Sequence, residues 1–358
     1  MLAGMGSVSY PPLVAAVSNA GGLGVLGMSG KAPWFIEQCI NEVRELTDKP
    51  FGVDLTIPSV VPRSISEAEL SEDIPPTHLE FVENLKKQWG VPDPLWISGD
   101  RDIHPDYNQD LFKAQVDKLL GMKVPVFVSG IGNPAWMVAE AHAQGMVVMS
   151  LVGNSKQARR VAEGGVDVVI AQGNESGGHT GRIGGLVLFP AVMSAVREVD
   201  SDTLVASAGG IATGQQIAAC LAMGSVGVWC GTRFIATHEA YEAEDWWKDK
   251  ILQATEEDTI YSRYGDGMAL RNLKPSKYLE AWETSGLPIL PMGQQRLLGR
   301  NLLQGAREAA MWDIVGGAGG QSAGLIEEIK TAEAVVMDMV EETLYYLQEV
   351  LPKKTLSP

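Results

Sequence analysis

Cysteine is scarce in this chain: Cys39, Cys220 and Cys230 are the only three in 358 residues, odd in number and far apart. That argues against a disulfide framework, leaves no metal-ligand spacing, and points to a reducing compartment. Long apolar runs are missing too. None reaches the ~18 residues that a membrane span needs. The N-terminus shows neither the basic region nor the small-residue cleavage pattern of a signal peptide, so a cytoplasmic location is expected. Positive charge is in deficit, with 28 Lys and Arg against 44 Asp and Glu and a formal net charge of −16. A surface this acidic disfavours nucleic acid and anionic membranes as partners. It still permits a small anionic ligand held by local N–H donors and helix N-termini.

What is present is alternation. Met1 to Ser7 reads as a strand end entering a turn without a lead-in, as though its upstream piece lay outside this numbering. A helix over Pro11–Ala20 stops at Gly21-Gly22. The spacing then predicts a strand at Leu23–Leu26, a helix at Pro33–Leu46 with proline in its first turn, and a strand at Phe51–Leu55. Thr56 to Gln109 breaks the pattern with prolines, acids and one amphipathic stretch, Leu79–Trp89. It reads as an insertion after the third strand, partly a lid. Beyond it the unit repeats: helix 110–120, strand 124–128, helix 134–144, strand 147–152, a helix capped by Ser155, strand 166–171, helix 188–199, strand 204–207, helix 214–223 and strand 226–230. Eight strand–helix units predict a parallel sheet closed into a TIM (β/α)8 barrel over residues 1–235. Residues 236–322 read as an irregular, helical segment on the substrate side. A final helix from Ala323 to Leu351 carries apolar residues at three/four spacing and should dock on the barrel within a last segment, 323–358.

Three loops carry candidate chemistry. The sixth strand ends at Gln172 and gives way to Gly173-Asn174-Glu175-Ser176-Gly177-Gly178-His179-Thr180-Gly181. Glycines there allow positive φ and close approach to a flat or phosphorylated ligand, and His179 is titratable near neutrality. Glu175 reads as a solvated loop acid. Ala208-Gly209-Gly210-Ile211-Ala212 and Cys230-Gly231-Thr232-Arg233-Phe234 follow the last two strands, where barrel enzymes collect N–H groups around a phosphate. Of the other histidines, His78 and His104 fall in the insertion, His142 is mid-helix and His238 follows the last strand. Each reads as a surface or packing residue.

The ordered set Ala3-Gly4-Met5, Phe51-Gly52-Val53-Asp54, Gln172 to His179, Ala208 to Ala212 and Gly231 to Phe234 resembles the nitronate monooxygenase family, once called 2-nitropropane dioxygenases. The resemblance runs from the start of the chain to about Phe234 and weakly around Gln321. The FMN-dependent enoyl-ACP reductases carry nearly the same histidine loop. The resemblance implies FMN as cofactor, met by the backbone of Ala3, Gly4 and Met5, by Asp54 where the family usually has Asn, and by Gln172, Gly177 and Gly178. Gly209, Gly210, Cys230, Gly231, Thr232 and Gln321 would complete the cofactor site, with His179 as the catalytic residue and no metal. The implied reaction oxidises an alkyl nitronate such as propionate 3-nitronate, or a nitroalkane, with O2 to a carbonyl compound and nitrite. The alternative is an enoyl reductase using NAD(P)H. A non-catalytic flavin binder and a phosphosugar isomerase on the same barrel stand as readings of other classes. A homodimer is compatible with all of them.

Overall fold

The computed structural model describes residues 1–57, 71–95, 109–200, 202–241 and 243–355. Runs of β-branched residues with little polar alternation form strands covered on both faces, as parallel sheets require. In order around the sheet these are β1 (Gly24–Gly27), β2 (Phe51–Ile57), β3 (Val126–Gly132), β4 (Val147–Val152), β5 (Val168–Gln172), β7 (Leu204–Ala208) and β8 (Val228–Trp229). A two-residue strand between β5 and β7, β6 (Gly178–His179), stands outside this sheet. The eighth place is taken by Met1–Ala3. Leu2 bridges Cys230 in parallel on one side, and its N–H donates to the Leu23 carbonyl at 2.9 Å on the other. The barrel closes through those bonds.

The helices between strands are α1 (Pro11–Asn19), α2 (Pro33–Leu46), α4 (Gln109–Met122), α5 (Ala135–Ala143), α6 (Ser155–Glu163), α7 (Gly185–Arg197), α8 (Gly214–Ala222) and the short α9 (Thr232–Ile235). Two have side-chain caps legible in the sequence. Thr213 and Gln216 form a reciprocal capping box on α8. On α6 the cap is Asn154, which accepts from the Gln157 N–H, and not the expected Ser155, which is already helical. Two apolar layers result. Val25, Val128, Met149, Ile170, Ala206 and Trp229 fill the barrel interior, while Leu13, Ile40, Val53, Phe127, Val169 and Leu188 pack between strands and helices.

A second core lies apart from the barrel. Helix α3 (Pro76–Trp89), from the insertion, contributes Val82 and Leu85; α11 (Lys277–Ser285) and α12 (Gln294–Glu308) contribute Tyr278, Trp282, Leu298 and Leu302. Two stretches about two hundred residues apart in sequence therefore share one apolar cluster, here called the cap. Of the expected insertion, Thr56 and Ile57 continue β2, 71–95 is described, and Gln109 opens α4; 58–70 and 96–108, His104 included, lie outside the described residues. The stretch after Phe234 holds helix α10 (Asp245–Gln253) and also an unforeseen hairpin, β9 (Thr259–Ser262) and β10 (Leu270–Leu273), antiparallel to each other. Its β10 edge pairs antiparallel with β6, so the hairpin carries the histidine loop as its third strand.

The expected terminal helix is split. A 3-10 turn covers Gln321–Leu325, and α13 (Ala332–Tyr345) begins only where the Thr331 hydroxyl accepts from the Ala334 N–H and Glu239 accepts from the Ala332 N–H. Its inward face is Ala332, Val335, Met339 and Thr343, against α8. Val340 and Leu344, two of the apolar residues at the three/four spacing that predicted the docking face, are exposed. Thr343 sits inside because its hydroxyl bonds the carbonyls of Met339 and Gly214, which the apolar spacing alone could not show.

Candidate active site

A cavity of about 410 Å³ opens at the C-terminal ends of the barrel strands, where barrel enzymes place their chemistry. Six strand ends line it. Ala3, Gly4 and Met5 follow the closing segment, Asp54 and Thr56 come from β2, and Gly130 from β3. Gln172, Gly177, Gly178 and His179 come from the loop after β5, Gly209 and Gly210 from that after β7, and Gly231 and Thr232 follow β8. Twelve of the fourteen expected site residues therefore share one cavity. Cys230 is not among the lining residues. It is buried, and its backbone holds Met1 and Ala3 while its thiol, raised by burial to about 11, is inert at neutral pH. Gln321 is also outside the lining; its N–H donates to the Glu175 carbonyl and its neighbour Ser322 faces the cavity.

The glycines act in two ways. Gly178, Gly209 and Gly210 have φ of +68°, +94° and +73°, a backbone that side chains disfavour. Gly177 needs no positive φ: a Cβ there would lie 2.6 Å from Gly319, so it lets the histidine loop pack on the 319–320 backbone. Glu175 is not the solvated acid expected. It accepts from the Gly185 N–H with both oxygens at 2.8 and 3.0 Å, where the N-terminus of α7 favours a negative charge. Gln172 lines the cavity while its amide nitrogen donates to the His179 carbonyl at 2.6 Å, which fixes the loop it precedes.

His179 is anchored from the cap. Its Nε2 meets Asp266 Oδ2 at 2.6 Å across 87 residues of sequence. Asp266 sits in the β9–β10 turn, where its other oxygen accepts from the Met268 N–H and Gly267 has φ +93°. Burial pushes the Asp266 carboxyl upward, but the His179 hydrogen bond and charge, the Met268 N–H and the Arg296 charge together leave it below the ordinary carboxylate range. Arg296, in the first turn of α12, lines the same cavity, as do Trp229 and Trp247. The Trp247 indole N–H donates to the Ala318 carbonyl at 2.9 Å and its ring packs beneath Gly317. Asp266, Arg296 and Trp247 were missed from the sequence. Only the turn Gly265-Asp266-Gly267 offered a signal, and nothing local ties it to His179.

The remaining histidines lie elsewhere. His78 is buried against Trp282 and meets the Pro288 carbonyl at 2.8 Å, His142 meets Asp167 at 3.0 Å on the barrel exterior, and His238 is on the surface. Asp54 is the unusual member of the wall. It is buried, Oδ1 has no hydrogen-bond partner, and burial raises its carboxyl well above the usual carboxylate range, outweighing a hydrogen bond from the Gly130 N–H that acts the other way. Among the described residues no cluster of His, Cys, Asp and Glu could hold a metal, and no helix is long and apolar enough to cross a membrane.

A closed parallel barrel with glycine loops, an Asp-held histidine and an arginine around one cavity has the architecture of a barrel enzyme. Comparison with known proteins makes this particular. The family model described as nitronate monooxygenase matches residues 1–342. A protein of Mycobacterium tuberculosis named as a candidate monooxygenase is 36% identical over 354 residues, covering 92% of this chain and 90% of that one. Among solved structures, a nitroalkane oxidase of Streptomyces ansochromogenes aligns with a TM-score of 0.79 at 28% identity, over 99% of this chain and 97% of the other. FabK from Thermotoga maritima aligns with a TM-score of 0.71 at 29% identity, over 98% and 94%. The chain belongs to the nitronate monooxygenase family and is an oxidoreductase.

Proposed function

We propose that this enzyme binds FMN in the barrel mouth and oxidises alkyl nitronates, or the parent nitroalkanes, with O2 to carbonyl compounds and nitrite. The observation that carries the reading is the pairing of His179 with Asp266 at a cavity whose other charged wall residue is Arg296. A nitronate is an anion; Arg296 supplies this wall with positive charge and His179 with a ring nitrogen. The cavity suits a flavin mononucleotide by its donor set: backbone groups at Gly209, Gly210, Gly231 and Thr232 for one phosphate, and the edge groups Asp54 and Gln172 for a polar ring. Bound FMN supplies the two-electron acceptor, which no side chain can provide. His179 holds the substrate's negative charge, or takes the α-proton when a neutral nitroalkane enters; Asp266 keeps the ring oriented for either task. Trp247 and Ile211 add apolar surface to the cavity wall.

The likeness to FabK keeps a second reading in view, in which a reduced nicotinamide nucleotide is the electron donor. Anaerobic bleaching of the reconstituted protein separates the two. Propionate 3-nitronate should bleach the flavin within a turnover and NADH or NADPH should not; the reverse result overturns the nitronate reading. Flavin released by denaturation should be FMN, and release of FAD would remove the single-phosphate assignment.

A further inference from the structure

Asp54 has a position that charge pairing does not explain. Its side chain is enclosed by backbone: a Cβ on Gly4 would lie 2.3 Å from Asp54 Cβ, and one on Gly130 would lie 2.6 Å from Oδ1. The two glycines thus hold backbone close against the carboxyl from the neighbouring strand ends. Oδ1 nonetheless has no partner, while the residue forms part of the cavity wall. A buried carboxylate with an unmet oxygen is far costlier than a neutral carboxylic acid, which carries no charge and has an O–H to give.

No neighbouring cation offsets that cost. On the flanking strands Asp54 faces Gly27 of β1 and Val128 of β3. Lys31, after β1, lies over the rings of Tyr10 and Phe35 at 5.9 and 5.6 Å. Behind β2, α1 has no ionisable side chain, and on α4 Lys113 pairs with Asp117 and Lys118 with Glu37, while Asp110 is exposed. Within the cavity the other ionisable side chains are His179, tied to Asp266, and Arg296. Neither is within hydrogen-bonding reach of Asp54, whose Oδ1 is unpartnered.

We propose that Asp54 is held as a neutral carboxylic acid at pH 7 and presents its O–H to the cavity as a hydrogen-bond donor to the polar ring edge of the bound flavin. This rests on the cofactor reading above for the identity of the acceptor, though not for the protonation state. It makes flavin retention a proton-linked equilibrium: FMN binds the protonated form, so affinity is flat at low pH and falls by about tenfold per pH unit once Asp54 ionises. Asp54 is a positioning residue here, because it fixes the ring without taking part in proton transfer to substrate.

Two measurements test it. Isotope-edited infrared spectroscopy of the flavin-free protein with labelled aspartate should show a protonated-acid carbonyl band at pH 7 that Asp54→Asn removes. Absence of that band overturns the proposal whatever FMN does. FMN dissociation constants from pH 5 to 9, measured by flavin fluorescence, should weaken with pH in the wild type relative to Asp54→Asn. The ratio of the two cancels titration of the FMN phosphate. A constant ratio, with the acid band lost within the same range, overturns the donor role. If no flavin binds at any pH while the acid band persists, the cofactor reading and the donation to it fall together, and the neutral acid stands on its own measurement.

Discussion

The barrel and the cap solve different problems with different materials. The barrel side of the cavity is mainly backbone: Gly4, Gly177, Gly178, Gly209, Gly210 and Gly231 line it, with Asp54 and His179 among the few ionisable groups. The cap side supplies side chains that orient and charge the site, Asp266 and Arg296, with Trp247 from the α10 stretch between barrel and cap. Backbone donors on strand ends are rigid and suit a cofactor that must sit in one place. Charged side chains on a separate apolar cluster can differ between relatives without disturbing the barrel, and suit a substrate. The comparison teaches that the two walls of the cavity belong to separately packed parts that meet at His179.

The sharpest way to break the comparison is to remove the cap's centre. Trp282 is fully buried, with the rings of Phe81, Tyr264, His78 and Tyr278 at 4.6, 5.3, 5.8 and 6.2 Å from its own. Trp282→Ala should cost about 3–5 kcal/mol, as large aromatic deletions do. Hydrogen exchange should accelerate over 259–315 with the barrel strands still protected. Equal acceleration in both would show that the cap and barrel are one cooperative unit.

His179→Asn tests the meeting point. Reduction by a neutral nitroalkane should fall by about 10²-fold or more, and reduction by the nitronate less, because that anion needs no base. Rapid-mixing anaerobic reduction with both forms is the measurement, and equal rates for the neutral form in wild type and variant would reduce His179 to a loop residue.

Gly177→Ala probes the seam. The added methyl would press on the Gly319–Gly320 backbone, with an overpacking cost of about 1–3 kcal/mol. Limited proteolysis should find the 316–320 stretch opened, with FMN retained more weakly. An unchanged digestion pattern would mean that the seam has slack.

Asp266→Asn should be the mildest of the four. Orientation of His179 is impaired and the base survives, so reduction of the neutral substrate should fall by about tenfold, short of the loss from His179→Asn itself. The pH dependence has a fixed sign. Asp266 is depressed in the folded protein, so its contribution to stability is present above the unfolded carboxylate pKa and is lost as pH falls through the folded value. Thermal unfolding of wild type against Asp266→Asn should therefore converge in acid. A gap that persists unchanged below that range would sink the ion-pair account.

Much of the barrel was legible because its determinants are local. Strand β4 and helix α2 fall on the expected residues, since a β-branched run and a proline-opened amphipathic stretch each specify their own ends. The glycine loops after β5, β7 and β8 were legible for the same reason, as glycine announces an unusual backbone wherever it stands. What only the tertiary structure decided is non-local. Asp266 reaches His179 through an antiparallel pairing of β6 with β10, and α3 joins α11 and α12 in one core; neither leaves a period or cap to read. Glu175 looked solvated because its partner, the Gly185 N–H, belongs to the next helix. Asp54 shows both sides at once. Its place at the end of β2 followed from the sequence, but the grip of Gly4 and Gly130 depends on how three strands converge, and so does the fate of its proton.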